Sequence, residues 1–132
     1  MQAAVKGTAR APRVLIVEDE PQICELISEI IHDNGLEPEC VNSDQEAYEV
    51  LRSGAGYEAL IVDVNLGTGT TGFDVARFAR QIEPTLAVLY VSGQASQRSF
   101  AAFGVPNSEY VTKPFTQAEL TQRLLSAMRK DG

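Results

Sequence analysis

Five polar residues stand at the ends of short apolar runs: Glu18 and Asp19 after Val14-Leu15-Ile16-Val17, Asp63 after Ala59-Leu60-Ile61-Val62, Ser92 after Leu86 to Val91, and Lys113 after Glu109 to Thr112. Clustered carboxylates repel one another, which raises their pKa values unless a cation neutralises them. An oxygen-only set with room for water suits Mg²⁺, which one or two carboxylates hold while other positions stay open to phosphate oxygens. A carboxylate can also act as a nucleophile and form an aspartyl phosphate. Phosphoryl transfer asks a protein mainly for positioning and for charge stabilisation by a metal and a Lys or Arg. In that chemistry Asp63 attacks, while Glu18 and Asp19 hold the metal directly or through water. Lys113 pairs with the incoming phosphoryl oxygens, and the Ser92 hydroxyl donates a hydrogen bond to them. Each residue alone has a plainer reading. The acids after Val17 suit a helix N-terminus, Ser92-Gly93 suits a turn, and Lys113 before Pro114 suits a solvated side chain. The chemical reading therefore depends on elements that bring all five to one place.

The apolar pattern supplies such elements. Val14 to Val17 is a continuous β-branched run, as expected of a strand buried on both faces. Pro21 suits the first turn of a helix whose Ile23, Leu26, Ile27, Ile30 and Ile31 repeat at helical spacing up to Asn34-Gly35. Glu37 to Val41 reads as a weak second strand. Ser43-Asp44-Gln45-Glu46 reads as a capping box that starts a helix to about Arg52. Ala59 to Val62 is a third strand, followed by a Gly/Thr loop and a helix carrying Val75, Ala76, Phe78, Ala79 and Ile82. Leu86 to Val91 is a fourth strand, followed by a helix over about Ala95 to Phe103. Glu109 to Thr112 is a fifth strand. Thr116 to Glu119 is a second capping box before a helix with Leu120, Leu124, Ala127 and Met128 inward. Strands alternating with helices imply a parallel sheet covered on both faces. In such sheets ligands sit beyond the carboxyl ends of the strands, where the five polar residues fall.

A chain of 132 residues fits one domain, and an apolar share of 44% supplies a core. Its 18 acidic against 11 basic residues, net −7, disfavour direct nucleic-acid binding because such a surface repels phosphate backbones. No apolar run approaches the length of a membrane span. Residues 1–12 lack a signal peptide's apolar region and read as a flexible lead-in to a domain over 13–130. Cys24 and Cys40 fall inside apolar patterns without a C-x-x-C motif and are expected as buried free thiols. His32, near the end of the first helix, is expected on the surface.

These segments resemble the receiver domains of two-component response regulators. Val14 to Pro21 looks like their opening strand and acidic pair, and Leu60 to Leu66 like the phosphoacceptor segment. Val91-Ser92-Gly93 is similar to the switch hydroxyl segment, and Tyr110-Val111-Thr112-Lys113-Pro114-Phe115 to the aromatic switch and lysine. The resemblance covers about residues 13 to 129. It implies a flavodoxin-like, doubly wound (βα)5 fold with a five-stranded parallel sheet in the order 2-1-3-4-5. It also implies that Asp63 accepts phosphate from a histidine kinase or a histidine phosphotransfer protein in a bacterial phosphorelay. Glu18, Asp19, Asp63 and the Asn65 backbone carbonyl would surround Mg²⁺. Ser92 and Tyr110 would move together as the switch, and Asn65 and Gln94 would tune dephosphorylation. The face built from the fourth helix, fifth strand and fifth helix would change its affinity for a downstream protein. Such a chain is a signalling domain, not an enzyme in the usual sense, expected in the cytoplasm and as a monomer. Met1 and the short lead-in favour a stand-alone receiver over one excised from a larger regulator.

The chain departs from the family pattern at Gly67, where relatives usually carry proline, and its Gly/Thr loop from Leu66 to Gly72 is longer and expected to be mobile. Three rival readings are open to test. A flavin protein of the same fold class would need an anion cradle where this chain has Glu18-Asp19-Glu20. A Mg²⁺-dependent phosphatase would need a second acid where Asn65 stands. A receiver-fold binding module would work without phosphorylation.

Overall fold

The computed structural model describes residues 11–67, 71–93 and 96–129. Most of the lead-in, the centre of the Gly/Thr loop and Gln94 lie outside the described residues, and with them the expectations of mobility and of a tuning role for Gln94. The strands are β1 (Arg13–Val17), β2 (Glu37–Val41), β3 (Ala59–Asp63), β4 (Ala87–Ser92) and β5 (Glu109–Thr112). The helices are α1 (Pro21–Asp33), α2 (Asp44–Arg52), α3 (Gly72–Ile82), α4 (Gln97–Phe103) and α5 (Gln117–Arg129). All strand pairs are parallel, in the order β2-β1-β3-β4-β5. This is the doubly wound arrangement expected.

Each side of the sheet buries its own cluster because side chains alternate along a strand. Leu15, Val17, Leu60, Val62, Val88 and Tyr90 face α2 and α3, with Phe100 of α4 packed alongside. Val14, Ile16, Ala59, Ile61, Ala87, Leu89 and Val91 face α1 and α5. The three central strands are buried along nearly their whole length, hence their unbroken apolar runs. The edge strands β2 and β5 are half exposed, which explains their weak sequence signal.

Helix starts follow local chemistry. Pro21 opens α1. Thr116 and Glu119 form the expected reciprocal box, at 2.9 and 3.1 Å. At α2 only half of the expected box forms. Ser43 accepts from the Glu46 N–H, but the Glu46 carboxylate reaches one residue further, to the Asn42 N–H at 2.7 Å. An additional box, Thr71 with Asp74, starts α3, and its T-x-x-D signal is legible in the sequence.

Of the apolar residues that mark the first and third helices, Leu26 and Ile82 are each 44% exposed, since each sits at the edge of its helix's apolar stripe. Cys24 of α1 and Cys40 of β2, expected as separate buried thiols, are brought together with Cα atoms 6.3 Å apart, and Cys40 is only partly buried. The cause is tertiary: β2 pairs with β1 so that Cys40 lies beside Ile16, and α1 packs over that same sheet face. His32 is exposed, as expected.

Candidate functional site

Parallel pairing sets the strand ends side by side. Asp63 is in register with Val91, one residue before Ser92, and Ser92 is in register with Thr112, one residue before Lys113. The Lys113 N–H donates to the Ser92 carbonyl at 2.8 Å, extending the ladder past β5. Glu18 continues β1 in the same way, its N–H donating to the Val41 carbonyl at 3.1 Å. The Asn42 amide donates to the Glu18 carbonyl at 2.9 Å and pins the turn toward α1.

The five residues picked from the sequence therefore meet at one edge. Carboxylate oxygens of Glu18, Asp19 and Asp63 lie within 4.8 Å of one another. The Lys113 ammonium is 2.8 Å from Asp63 Oδ2, 3.0 Å from Glu18 Oε1 and 3.5 Å from Glu20 Oε1. The Asn65 N–H donates to Asp63 Oδ1 at 2.9 Å, and the Glu20 N–H to Glu18 Oε2 at 3.1 Å. Ser92 is buried; its Oγ lies 3.5 Å from Asn65 Nδ2 and 3.3 Å from the Ser96 hydroxyl. Tyr110, half buried, donates to the Gly93 carbonyl at 2.6 Å and packs against Phe100.

The charge balance is unequal. Glu18 is 1% exposed and Asp63 5%, and one lysine serves both. Burial, and then the neighbouring Asp63 charge, push the Glu18 carboxyl up to about 7. Burial works to lower the Lys113 pKa, but bonding to Asp63 and Glu18 outweighs it and holds the ammonium above its usual range. The Tyr110 phenol is raised by burial and by the Asp63 charge. Glu18 Oε1 meets the ammonium at 3.0 Å and shares it with Asp63. An all-oxygen donor set with surplus negative charge fits a hard divalent cation such as Mg²⁺.

Two glycines shape the loop that follows Asp63. Gly67 has φ +82°, a conformation closed to proline, whose ring holds φ near −65°. A Cβ there would stand 3.6 Å from Asp19 Oδ2. Gly72, at the start of α3, donates its N–H to the Val64 carbonyl at 2.9 Å, and a Cβ on it would lie 2.2 Å from the Asp63 carbonyl oxygen. Ser96, Asn42 and Glu20 were not singled out from the sequence as site residues. Asn42 directly follows β2, whose weak pattern hides its end, while Glu20 and Ser96 lie beyond the strand ends and approach the site through the turn of their loops.

A doubly wound parallel sheet with an acidic, lysine-bearing pocket at its carboxyl edge defines the class of protein. The response regulator receiver domain family model matches residues 14–125, and the chain belongs to that family of signalling domains. Among curated proteins it is 31% identical to the transcriptional regulatory protein TcrA of Mycobacterium tuberculosis, an alignment covering 94% of this chain and 49% of that protein. It is 26% identical to the regulatory protein VanRB of Enterococcus faecalis, over 91% of this chain and 54% of that one. The chain thus spans about half the length of these relatives. A response regulator receiver protein from Sinorhizobium medicae superposes with a TM-score of 0.87 at 31% identity, covering 92% of this chain and 98% of that one. The regulator TrrA from Thermotoga maritima, solved in complex with Mg²⁺-BeF, superposes with a TM-score of 0.76 at 26% identity, covering 88% and 98%.

Proposed function

We propose that this receiver domain takes a phosphoryl group on Asp63 from a phosphohistidine, on a histidine kinase or a histidine phosphotransfer protein. The observation that carries this is the convergence of the Glu18, Asp19 and Asp63 oxygens within 4.8 Å, with Lys113 2.8 Å from Asp63. Glu18, Asp19, Asp63 and the Asn65 backbone carbonyl would hold Mg²⁺, which supplies charge neutralisation for the phosphoryl oxygens. A carboxylate oxygen of Asp63 attacks phosphorus, the P–N bond to the donor imidazole breaks, and the imidazole leaves with that electron pair. Lys113, now bonded to Asp63, is placed to pair with a phosphoryl oxygen. The Ser92 hydroxyl donates to another, Tyr110 follows inward, and the side chains of Asn65 and Gln94 tune hydrolysis.

The readout surface in this proposal is the face of α4, β5 and α5. It carries a cavity of about 580 Å³ lined by Phe100, Tyr110, Lys113 and Arg123, among others. Its occupant is a downstream protein, with the receiver acting as a cytoplasmic monomer. Among the described residues no helix is long and apolar enough to cross a membrane.

Intact-protein mass spectrometry after incubation with acetyl phosphate tests the chemistry. Wild type should gain a Mg²⁺-dependent, base-labile phosphoryl adduct, and Asp63→Asn should gain none. Label retained at another residue counts against the assignment. Absence of an adduct from both acetyl phosphate and a phosphohistidine donor would favour a binding module that works without phosphorylation.

A further inference from the structure

We propose that Ser96 is a positioning residue that holds the Ser92 hydroxyl in its resting place and couples its release to α4. The proposal rests on the reading of Asp63 as the phosphoacceptor.

Ser96 occupies the position before the first turn of α4, where a serine side chain ordinarily accepts a hydrogen bond from a free N–H of the helix. Here it makes no such bond. Its backbone is helical, φ −88° and ψ −2°, unlike the extended capping residues Ser43 (φ −150°, ψ 163°) and Thr71 (φ −90°, ψ 171°). The hydroxyl turns inward instead, 3.3 Å from Ser92 Oγ, and both side chains are buried. The Ser96 N–H donates to the Gly93 carbonyl at 3.1 Å and closes the turn from β4. A residue that would serve a helix end elsewhere in this chain is thus committed to the switch hydroxyl.

Either hydroxyl can donate in the 3.3 Å contact, so what the contact fixes is the position of Ser92 Oγ and not the use of its proton. In the proposed switch Ser92 moves toward a phosphoryl group on Asp63, and that movement draws its oxygen away from Ser96. The resting position then keeps one buried hydrogen bond that the engaged position gives up. Ser96 also stands one turn before Phe100, whose ring centroid is 5.7 Å from Tyr90 and 5.3 Å from Tyr110. Release of Ser92 therefore frees the start of the helix that packs on the aromatic switch.

The test uses Mg²⁺-loaded protein and beryllofluoride, a phosphoryl mimic, with binding followed by amide NMR shifts. Ser96→Ala should bind about fivefold more tightly than wild type, the equivalent of one net hydrogen bond. Ser96→Thr keeps the hydroxyl and should bind as wild type does. In a Ser92→Ala background, Ser96→Ala should change nothing, a non-additivity that a purely structural role would not produce. Unchanged or weaker binding by Ser96→Ala, or the same gain in the Ser92→Ala background, overturns the proposal. A wild type with no beryllofluoride-dependent shift would remove the phosphoacceptor reading and the latch with it. Binding by wild type without a Ser96 effect removes the latch alone.

Discussion

Two polar clusters sit in different parts of this sheet. Near the amino ends of the strands, Arg13 of β1 forms an ion pair with Glu39 of β2, and its guanidinium lies 4.8 Å from the centre of the Tyr57 ring. Tyr57 donates to the same Glu39 oxygen at 2.9 Å, and Arg13 donates to the Ala55 carbonyl at 3.2 Å. At the carboxyl edge, Glu18 and Asp63 share Lys113, and an Asp19 oxygen lies within 4.8 Å of theirs. The first cluster pairs one cation with one anion and has no surplus charge to attract a ligand. The second carries surplus negative charge, which on the proposed reading a cation neutralises before an anion is held by that cation and Lys113. Charge imbalance is thus what distinguishes the cluster proposed to receive ligands from the balanced one that braces the fold.

Substitutions at the two clusters should separate them. Lys113→Ala should have the largest effect. In EDTA it should cost about 3 kcal/mol of stability in urea unfolding, because it leaves buried carboxylates without their partner. Mg²⁺ should restore most of that loss and still bind, while coupling of phosphorylation to partner binding stays lost. An equal loss in EDTA and in Mg²⁺ would show that the two clusters do not differ in kind. Next, Mg²⁺ at 100 times its Kd should add about 2.7 kcal/mol to wild-type stability. Glu39→Gln should leave that increment unchanged and Asp63→Asn should reduce it, as Tm shifts would report. Gly72→Ala should cost about 2 kcal/mol, because its Cβ would press on the Asp63 carbonyl, and should slow phosphoryl uptake as well.

The smallest effect belongs to the amino-end cluster. Tyr57→Phe should cost about 1 kcal/mol at neutral pH, with no change in phosphoryl uptake. Burial, and then the Glu39 carboxylate, raise the Tyr57 phenol to about 12. The protonated form is thus favoured by the fold. Its contribution is complete below the unfolded-chain value near 10 and is lost as pH rises toward about 12. Stability curves over that range should fall less steeply for Tyr57→Phe than for wild type, and parallel curves would remove Tyr57 as the cause.

Much of this was legible before any coordinates. The central strands announce themselves because strands buried on both faces must be apolar at every position. Thr116 and Glu119 announce a helix start because a capping box is satisfied within four residues. The convergence of Glu18, Asp19, Asp63, Ser92 and Lys113 followed from the rule that parallel strands end together. By contrast, Leu26 shares the helical spacing of Ile30, yet its 44% exposure depends on how far α1 is rotated on the sheet.

Sequence alone determined the alternation of elements and which side chains reach the carboxyl edge, because periodicity and strand-end position are local properties. Tertiary structure decided the meeting of Cys24 with Cys40, the sharing of Lys113 between Glu18 and Asp63, the approach of Gly72 to the Asp63 backbone and the inward turn of Ser96. Each of these joins residues held together by strand register, helix rotation or the turn of a loop, which no local spacing encodes.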